Sequence, residues 1–157
     1  MTPLRISIAV VVTFALLFGF DSRSFAAPTV PSEPLVHYVV SDGGIAQSLT
    51  GVAGDPSKGK AIVLDRRLGN CLACHHMPVD APFQGDLGPD LAGVGKRLTI
   101  AQLRLRIVNP KLINPETIMP AYYAIAGFHD IGPQFRGKPI LAAQQVEDVV
   151  AFLATLK

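Results

Sequence analysis

The stretch Cys71-Leu72-Ala73-Cys74-His75 decides how the rest of the chain is interpreted. It has the form C-x-x-C-H, the signature of covalent c-type haem attachment. Two thiols this close on one helical turn can each form a thioether with a vinyl group of the porphyrin, and the next residue then lies beneath the iron. These are the only two cysteines in the sequence. The motif therefore predicts one covalently bound haem, with Cys71 and Cys74 as its attachment sites and His75 as the proximal iron ligand.

Three other uses of paired cysteines fit the sequence less well. A thioredoxin-like C-x-x-C opens a helix after a buried strand, whereas residues 60–68 have a helical pattern. A structural zinc site needs four nitrogen or sulfur ligands, and the sequence has no second cysteine pair. A disulfide between thiols so close together would restrain little of the chain.

Length and composition limit the size of the core and the kinds of partner that the protein binds. The sequence has 157 residues, of which 49% are hydrophobic, which is enough for one domain with a modest core. Its formal net charge is +2 and it has no basic run. We therefore expect neither nucleic acid nor an anionic membrane surface as a partner.

Residues 1–26 have the features of a secretory signal peptide. Arg5 provides the positive n-region, residues 6–20 form the apolar h-region, and small residues allow cleavage after Ala26 or Ala27. An uncleaved anchor is the alternative, but the apolar run is shorter than the roughly twenty residues that span a bilayer. We expect export and a periplasmic mature protein, which agrees with haem attachment because bacterial c-type haem is attached outside the cytoplasmic membrane.

The mature chain is expected to form an irregular N-terminal arm over residues 27–54 and a helical domain over residues 55–157. The arm is rich in Pro, Gly and Ser, and three fates stay open: it lies on its own domain, lies on a partner, or is a disordered linker. Capping residues Asp55 and Thr99 predict helices over 56–68 and 100–108, the second with Ala101, Leu105 and Val108 on one face. Apolar periodicity predicts a last helix over 143–156.

A six-coordinate haem needs a second ligand opposite His75, and the sequence offers five candidates: Met77, Met119, His37, His76 and His129. His76 and Met77 follow the proximal histidine too closely for the chain to pass around the porphyrin edge. Met119 lies much further along, in a loop bounded by Pro115 and Pro120. We therefore predict His75 and Met119 as the two iron ligands.

The order of these motifs resembles that of the class I cytochromes c. Gly59-Lys60 precedes the attachment motif, Gly88-Pro89-x-Leu91 follows it, and Met119-Pro120 and a C-terminal helix with an apolar and aromatic pair complete the pattern. The resemblance implies an all-α fold in which the helices pack around one haem. The gap between Gly59 and Cys71 is longer than in that family, which leaves the exact crossing of the helices open.

The same resemblance implies roles for three further residues. Pro89 would offer its carbonyl to the N–H of His75, Arg97 would help to neutralise a haem propionate, and the first and last helices would cross over Gly59.

Segments spread over nearly the whole mature chain resemble the SoxX subunits of the SoxAX cytochromes of bacterial sulfur oxidation; they cover residues 48–51, 54–56, 69–75, 84–89, 114–120 and 137–151. The resemblance implies a monohaem subunit that pairs with a larger SoxA cytochrome, with a third small subunit left open. In that complex, an L-cysteine S-thiosulfotransferase, thiosulfate is oxidatively joined to a cysteine of a sulfur-carrier protein on the SoxA side. The SoxX haem passes the electrons to an acceptor cytochrome.

The residues agree with an electron relay, because the sequence shows no free thiol, no nucleophile and base pair and no open iron position. No catalytic residue is assigned to this chain. A free-standing periplasmic cytochrome c serving a terminal oxidase or another dehydrogenase is the alternative, and a haem-based gas sensor would need a displaceable ligand in place of Met119. The loop 77–83 is predicted to expose Met77, Val79 and Phe83 and to pack, with the arm, on the partner.

Overall fold

The computed structural model describes residues 34–129 and 131–157. The predicted signal peptide, residues 1–26, and the first part of the arm, residues 27–33, lie outside the described residues. The described residues form four α-helices: α1 (Pro56–Leu64), α2 (Val94–Arg97), α3 (Ile100–Val108) and α4 (Ala143–Thr155). Three short 3-10 helices occupy Cys71–Ala73, Pro110–Leu112 and Pro133–Phe135.

The described part of the chain contains no β-strand beyond one isolated bridge between Ser41 and Gly44. The predicted all-α class is therefore confirmed. No helix among the described residues combines the length and the apolar character needed to cross a bilayer.

Side-chain caps start two of the helices where the sequence predicted them. The Asp55 carboxylate accepts hydrogen bonds from the backbone N–H groups of Ser57 and Lys58, and Thr99 forms a capping box with Gln102. Helix α3 has the predicted bounds, and α4 ends one residue before the predicted 156. Helix α2 lies in a glycine-rich stretch, residues 88–97, for which no helix was predicted.

The prediction that the first helix reaches residue 68 is wrong, because α1 ends at Leu64. The next residue, Asp65, accepts the N–H of Arg67 on its side chain at 2.7 Å and the N–H of Asn70 on its carbonyl at 2.9 Å. Aspartate commonly diverts the backbone in this way, by offering it a hydrogen bond outside the helix. The resulting turn ends at Asn70, whose φ of 48° is left-handed, and directs the chain into the cysteine motif.

Helices α1 and α4 cross in close contact at a glycine. A methyl group on Gly59 would lie 1.9 Å from the carbonyl oxygen of Asp148 and 2.9 Å from the Cβ atom of Phe152. Helix α2 approaches α4 in the same way, since a Cβ atom on Gly95 would lie 2.4 Å from the carbonyl oxygen of Ala154. The crossing over Gly59 that the resemblance implied is present, and the longer connection to Cys71 is taken up by the turn after α1.

The described part of the arm packs partly on its own domain. Ile45 is 1% exposed and its N–H donates to the carbonyl of Ala101 on α3 at 3.0 Å. Leu49 is 4% exposed and its N–H donates to the Glu147 carboxylate on α4 at 2.8 Å. Ile45 and Leu49 therefore belong to the core, whereas Val39, earlier in the arm, is 67% exposed.

A buried ion pair fixes this segment between α3 and α4. Arg104 donates to both carboxylate oxygens of Glu147, from Nε and Nη2, each at 2.9 Å. Its Nη1 donates to the carbonyl oxygens of Ile45 at 2.6 Å and Ala46 at 3.3 Å. Arg104 and Glu147 are each 4% exposed, so water could not solvate either charge if its partner were removed.

We expect the substitution Glu147→Gln to lower the free energy of unfolding of the haem-loaded protein by about 3 kcal/mol or more, because it leaves the Arg104 guanidinium buried without a counter-charge. Chemical denaturation followed by circular dichroism measures this. The matched control is Glu116→Gln, the same change at an exposed site, for which we expect a change within about 0.5 kcal/mol. Equal effects at the two positions would show that the pair does not stabilise the fold.

Candidate haem site

The cysteine motif is held as one tight turn. The N–H groups of Cys74 and His75 donate to the carbonyl oxygen of Cys71 at 3.1 and 2.9 Å. This turn brings Cys71, Cys74 and His75 to the wall of a single cavity of about 540 Å³.

All the predicted site residues line this cavity: Cys71, Cys74, His75, Pro89, Arg97 and Met119. The other described candidates for a distal ligand, His37, His76, Met77 and His129, do not line it. Met119 enters from the loop that follows the short helix Pro110–Leu112.

The rest of the cavity wall fits a porphyrin, which is a flat and largely apolar body. Its apolar lining comes from the three α-helices after the motif, from the short helix Pro110–Leu112 and from nearby loops: Leu87, Leu91, Val94, Leu98, Leu103, Ile107, Pro110, Ile113, Ile118, Pro120 and Leu153. Thiols for two thioethers, an imidazole and a thioether sulfur are present in the same wall, so the donor set matches a haem c.

The imidazole of His75 is oriented by the backbone. Its Nδ1 atom lies 2.8 Å from the carbonyl oxygen of Pro89, and because a carbonyl only accepts, Nδ1 must carry the proton. Nε2 is then the ring nitrogen with a lone pair for a metal. Gly88 makes room for the ring, since a Cβ atom there would lie 2.3 Å from the Cε1 atom of His75.

Comparisons with known proteins identify the family of the chain. The family model described as cytochrome c matches residues 56–157. The chain belongs to the cytochrome c family. It is also 44% identical to a solved chain of SoxXA from P. pantotrophus, with a TM-score of 0.73 over 80% of this chain and 98% of that chain. No curated protein sequence gives a significant match.

The chain is thus a SoxX-type cytochrome, and it carries a covalently attached haem c. The family assignment confirms the predicted class I cytochrome c fold and the predicted cofactor.

The loop that contains Met119 is fixed by hydrogen bonds at Thr117 and at the N–H of the methionine itself. The Lys111 ammonium donates to the carbonyl oxygen of Thr117 at 2.7 Å, and the N–H of Thr117 donates to the carbonyl of Asn114 at 3.1 Å. The N–H of Met119 donates to the Thr117 hydroxyl at 3.2 Å. In this cytochrome the methionine is therefore presented by an ordered turn.

Two arginines line the cavity. Arg97 donates from Nη2 to the carbonyl oxygen of Asp90 at 2.8 Å and from Nη1 to the carbonyl oxygen of Ala92. Its contact with a haem propionate stays a prediction, and its N–H groups have a second use in holding the loop before α2. Arg106 was missed by the sequence reasoning. It lies three residues after Leu103 on α3, and this helical spacing from a buried leucine could have indicated it.

Tyr122 is a second lining residue that the sequence reasoning missed. Its hydroxyl donates to the carbonyl oxygen of Gly69 at 2.8 Å, just before the cysteine motif. Burial, and the neighbouring Cys71, raise the pKa of Tyr122, so it is a neutral donor at neutral pH. Burial also raises the pKa of the Cys71 thiol to about 11.

The prediction that Met77 is exposed is wrong, whereas Phe83 is exposed as predicted. Met77 has no exposed surface and belongs to the core, because its N–H donates to the Gln84 side chain at 2.7 Å and the loop folds inwards there. The Gln84 amide also donates to the carbonyl oxygen of Val79 at 3.2 Å. Val79 is half-buried, and Phe83 is 92% exposed.

Proposed function

We propose that this cytochrome is the electron-transfer subunit of a SoxAX-type complex, with the haem iron held by His75 and Met119. In this proposal it pairs with a larger SoxA-type cytochrome in the periplasm, after removal of a signal peptide over residues 1–26. The observation that carries the proposal is the single apolar cavity that gathers both cysteines, His75 and Met119, in a chain 44% identical to SoxXA from P. pantotrophus.

The proposed reaction of the complex needs an electron acceptor. Joining thiosulfate to the thiol of a sulfur-carrier protein forms one S–S bond and releases one proton and two electrons. A bound haem supplies one-electron redox chemistry, so the two electrons pass through this chain one at a time and go to an acceptor cytochrome. The bond-forming chemistry is assigned to the partner, an L-cysteine S-thiosulfotransferase in this reading.

The residues of this chain prepare the site for electron transfer. Pro89 holds the Nδ1 side of the His75 ring, which leaves Nε2 as the nitrogen that would hold the iron. The Lys111 and Thr117 contacts hold the Met119 turn, and the apolar wall excludes water. Because both ligands are held by the surrounding backbone, a change in oxidation state requires little movement of the protein.

We expect Met119→Ala to abolish the weak sulfur-to-iron charge-transfer band of the ferric protein at the red end of the spectrum. It should also lower the reduction potential, because thioether ligation favours ferrous iron. Visible absorption and spectroelectrochemistry measure both. The control Met77→Leu changes a buried methionine away from the cavity and should leave the band intact. A band that survives in Met119→Ala would mean that another group is the distal ligand.

The partner surface is proposed to include Phe83. Its side chain is 92% exposed, and its φ of 58° is a conformation that residues other than glycine rarely adopt. The loop around it is ordered by the Gln84 side chain and by the N–H of Gly85, which donates to the carbonyl oxygen of Leu72 within the cysteine motif at 2.7 Å. An exposed aromatic ring is thus presented rigidly beside the haem attachment site, as expected of an anchor at an interface.

We expect Phe83→Ser to weaken the affinity for the SoxA-type partner by at least about tenfold without changing the haem spectrum or the stability of the isolated chain. Isothermal titration calorimetry with the purified partner measures the affinity. Val52→Ser, at another exposed apolar residue, is the control for a general loss of surface hydrophobicity. Unchanged affinity in Phe83→Ser would place the partner on a different face.

The function itself is tested with thiosulfate. The oxidised chain alone should stay ferric when thiosulfate is added, and it should be reduced when the SoxA-type partner and a thiol-bearing carrier are also present. It should then pass electrons to a small acceptor cytochrome, followed by the change in its visible spectrum. Reduction by thiosulfate without any partner would reveal a substrate site on this chain, and no reduction in the complete mixture would contradict the proposal.

A further inference from the structure

Residues 88–92 run alongside the end of the cysteine motif. The N–H of Gly88 donates to the carbonyl oxygen of Cys74 at 2.7 Å, and the N–H of Leu91 donates to the carbonyl oxygen of His76 at 2.9 Å. Pro89 lies between these two bonds. It has no N–H of its own with which to fix its position.

The carbonyl of Pro89 belongs to the planar peptide unit that links it to Asp90. Any rotation of this plane moves the Pro89 oxygen away from the Nδ1 atom of His75. The conformation of Asp90 therefore controls whether the 2.8 Å contact between Pro89 and His75 is kept.

Asp90 is fixed at three points. Its Oδ2 atom lies 3.0 Å from the Nδ1 atom of His76, its Oδ1 atom accepts the N–H of Ala92 at 2.6 Å, and its carbonyl oxygen accepts Nη2 of Arg97 at 2.8 Å. Its side chain is 55% exposed, so these contacts do not serve to fill the core. They tie Asp90, the residue that follows Pro89, to His76, to the loop before α2 and to Arg97 at the end of α2.

We propose that Asp90 is a positioning residue that holds the Pro89 carbonyl on His75 and thereby lowers the reduction potential of the haem. A ligating histidine that donates its second N–H to a carbonyl is held in one orientation and is a more basic ligand. A more basic ligand favours ferric iron, so hydrogen bonding around the ligand is one of the factors that set the potential. The inference rests on His75 as the proximal ligand, which belongs to the proposed function, and does not depend on any partner.

Three variants of the haem-loaded chain separate position from charge. Asp90→Ala removes both the charge and the side-chain acceptor. Asp90→Asn removes the charge but keeps an amide oxygen that can accept the N–H of Ala92. Asp86→Asn removes one exposed carboxylate from the same loop and is the matched control for charge alone.

Spectroelectrochemistry at one pH and ionic strength measures the effect. We expect Asp90→Ala to raise the ferrous-to-ferric ratio at a fixed electrode potential by roughly threefold to tenfold relative to Asp90→Asn. At about 59 mV per tenfold change for a one-electron couple, this corresponds to about 28 to 59 mV. Asp90→Asn should shift no more than Asp86→Asn. If Asp90→Ala fails to mature with haem, Asp90→Leu takes its place, because leucine likewise has no acceptor for the N–H of Ala92 or for the His76 ring.

A second readout reports on the hydrogen bond itself. In the ferrous protein, the Nδ1 proton of His75 should exchange with solvent faster in Asp90→Ala than in the wild type or in Asp90→Asn, as followed by proton NMR. Equal potentials and equal exchange rates in Asp90→Ala and Asp90→Asn would overturn the positioning role. Strongly shifted ring resonances of His75 in the wild type establish that it is a haem ligand, and their absence would instead overturn the ligand assignment on which this inference rests.

Discussion

The structure depends on the close approach of other segments to helix α4. The absence of a side chain at Gly59 lets α1 contact α4 through its backbone, and Gly95 does the same for α2. Two carboxylates of α4 then bind backbone N–H groups of the chain that precedes α1: Glu147 accepts from Leu49 and Asp148 accepts from Asp55 at 2.8 Å. A larger residue at either glycine would push these elements apart, because interiors as dense as this have no space to accept an added group.

The haem cavity is lined by the sides of α2, α3 and α4 that do not pack against one another. Helix α3 has two buried sides, which explains why most of its residues are apolar and why its polar side chains are hydrogen-bonded within the protein. Leu105 and Val108 pack in the core, and Leu103 and Ile107 face the cavity. Burying the charge of Arg104 between these two sides would destabilise the fold if the guanidinium had no partner. The Glu147 carboxylate and the carbonyl oxygen of Ile45 accept its hydrogen bonds.

Most features that depend on neighbouring residues could be predicted from the sequence, with the end of α1 as the exception, and features that depend on distant residues could not. The attachment turn, the caps at Asp55 and Thr99 and the bounds of α3 follow from local chemistry. The burial of Met77 depends on the amide of Gln84, and the anchoring of Ile45 depends on Arg104. Neither contact leaves a periodic pattern.

The same distinction holds at the site. Residue types identified Cys71, Cys74, His75 and Met119 as a set, and the structure shows that they share one cavity. The end of α1 was misplaced because a helical pattern continues beyond Leu64, and it gives no indication that the side chain and carbonyl of Asp65 divert the chain there. Arg106 and Tyr122 were missed because only the assembled cavity shows which side of a helix or loop faces the haem.

Recognition and electron transfer have different structural requirements, and the chain separates them while keeping them close in space. The proposed iron ligands are enclosed by hydrogen-bonded loops, so a change of charge on the iron meets little freedom of movement around His75 or Met119. Phe83 is exposed on the loop that packs against the cysteine motif through Gly85. A partner that binds this ring would therefore lie near the edge of the haem without contacting either ligand, so that it could exchange electrons while the ligand geometry that sets the potential stays unchanged.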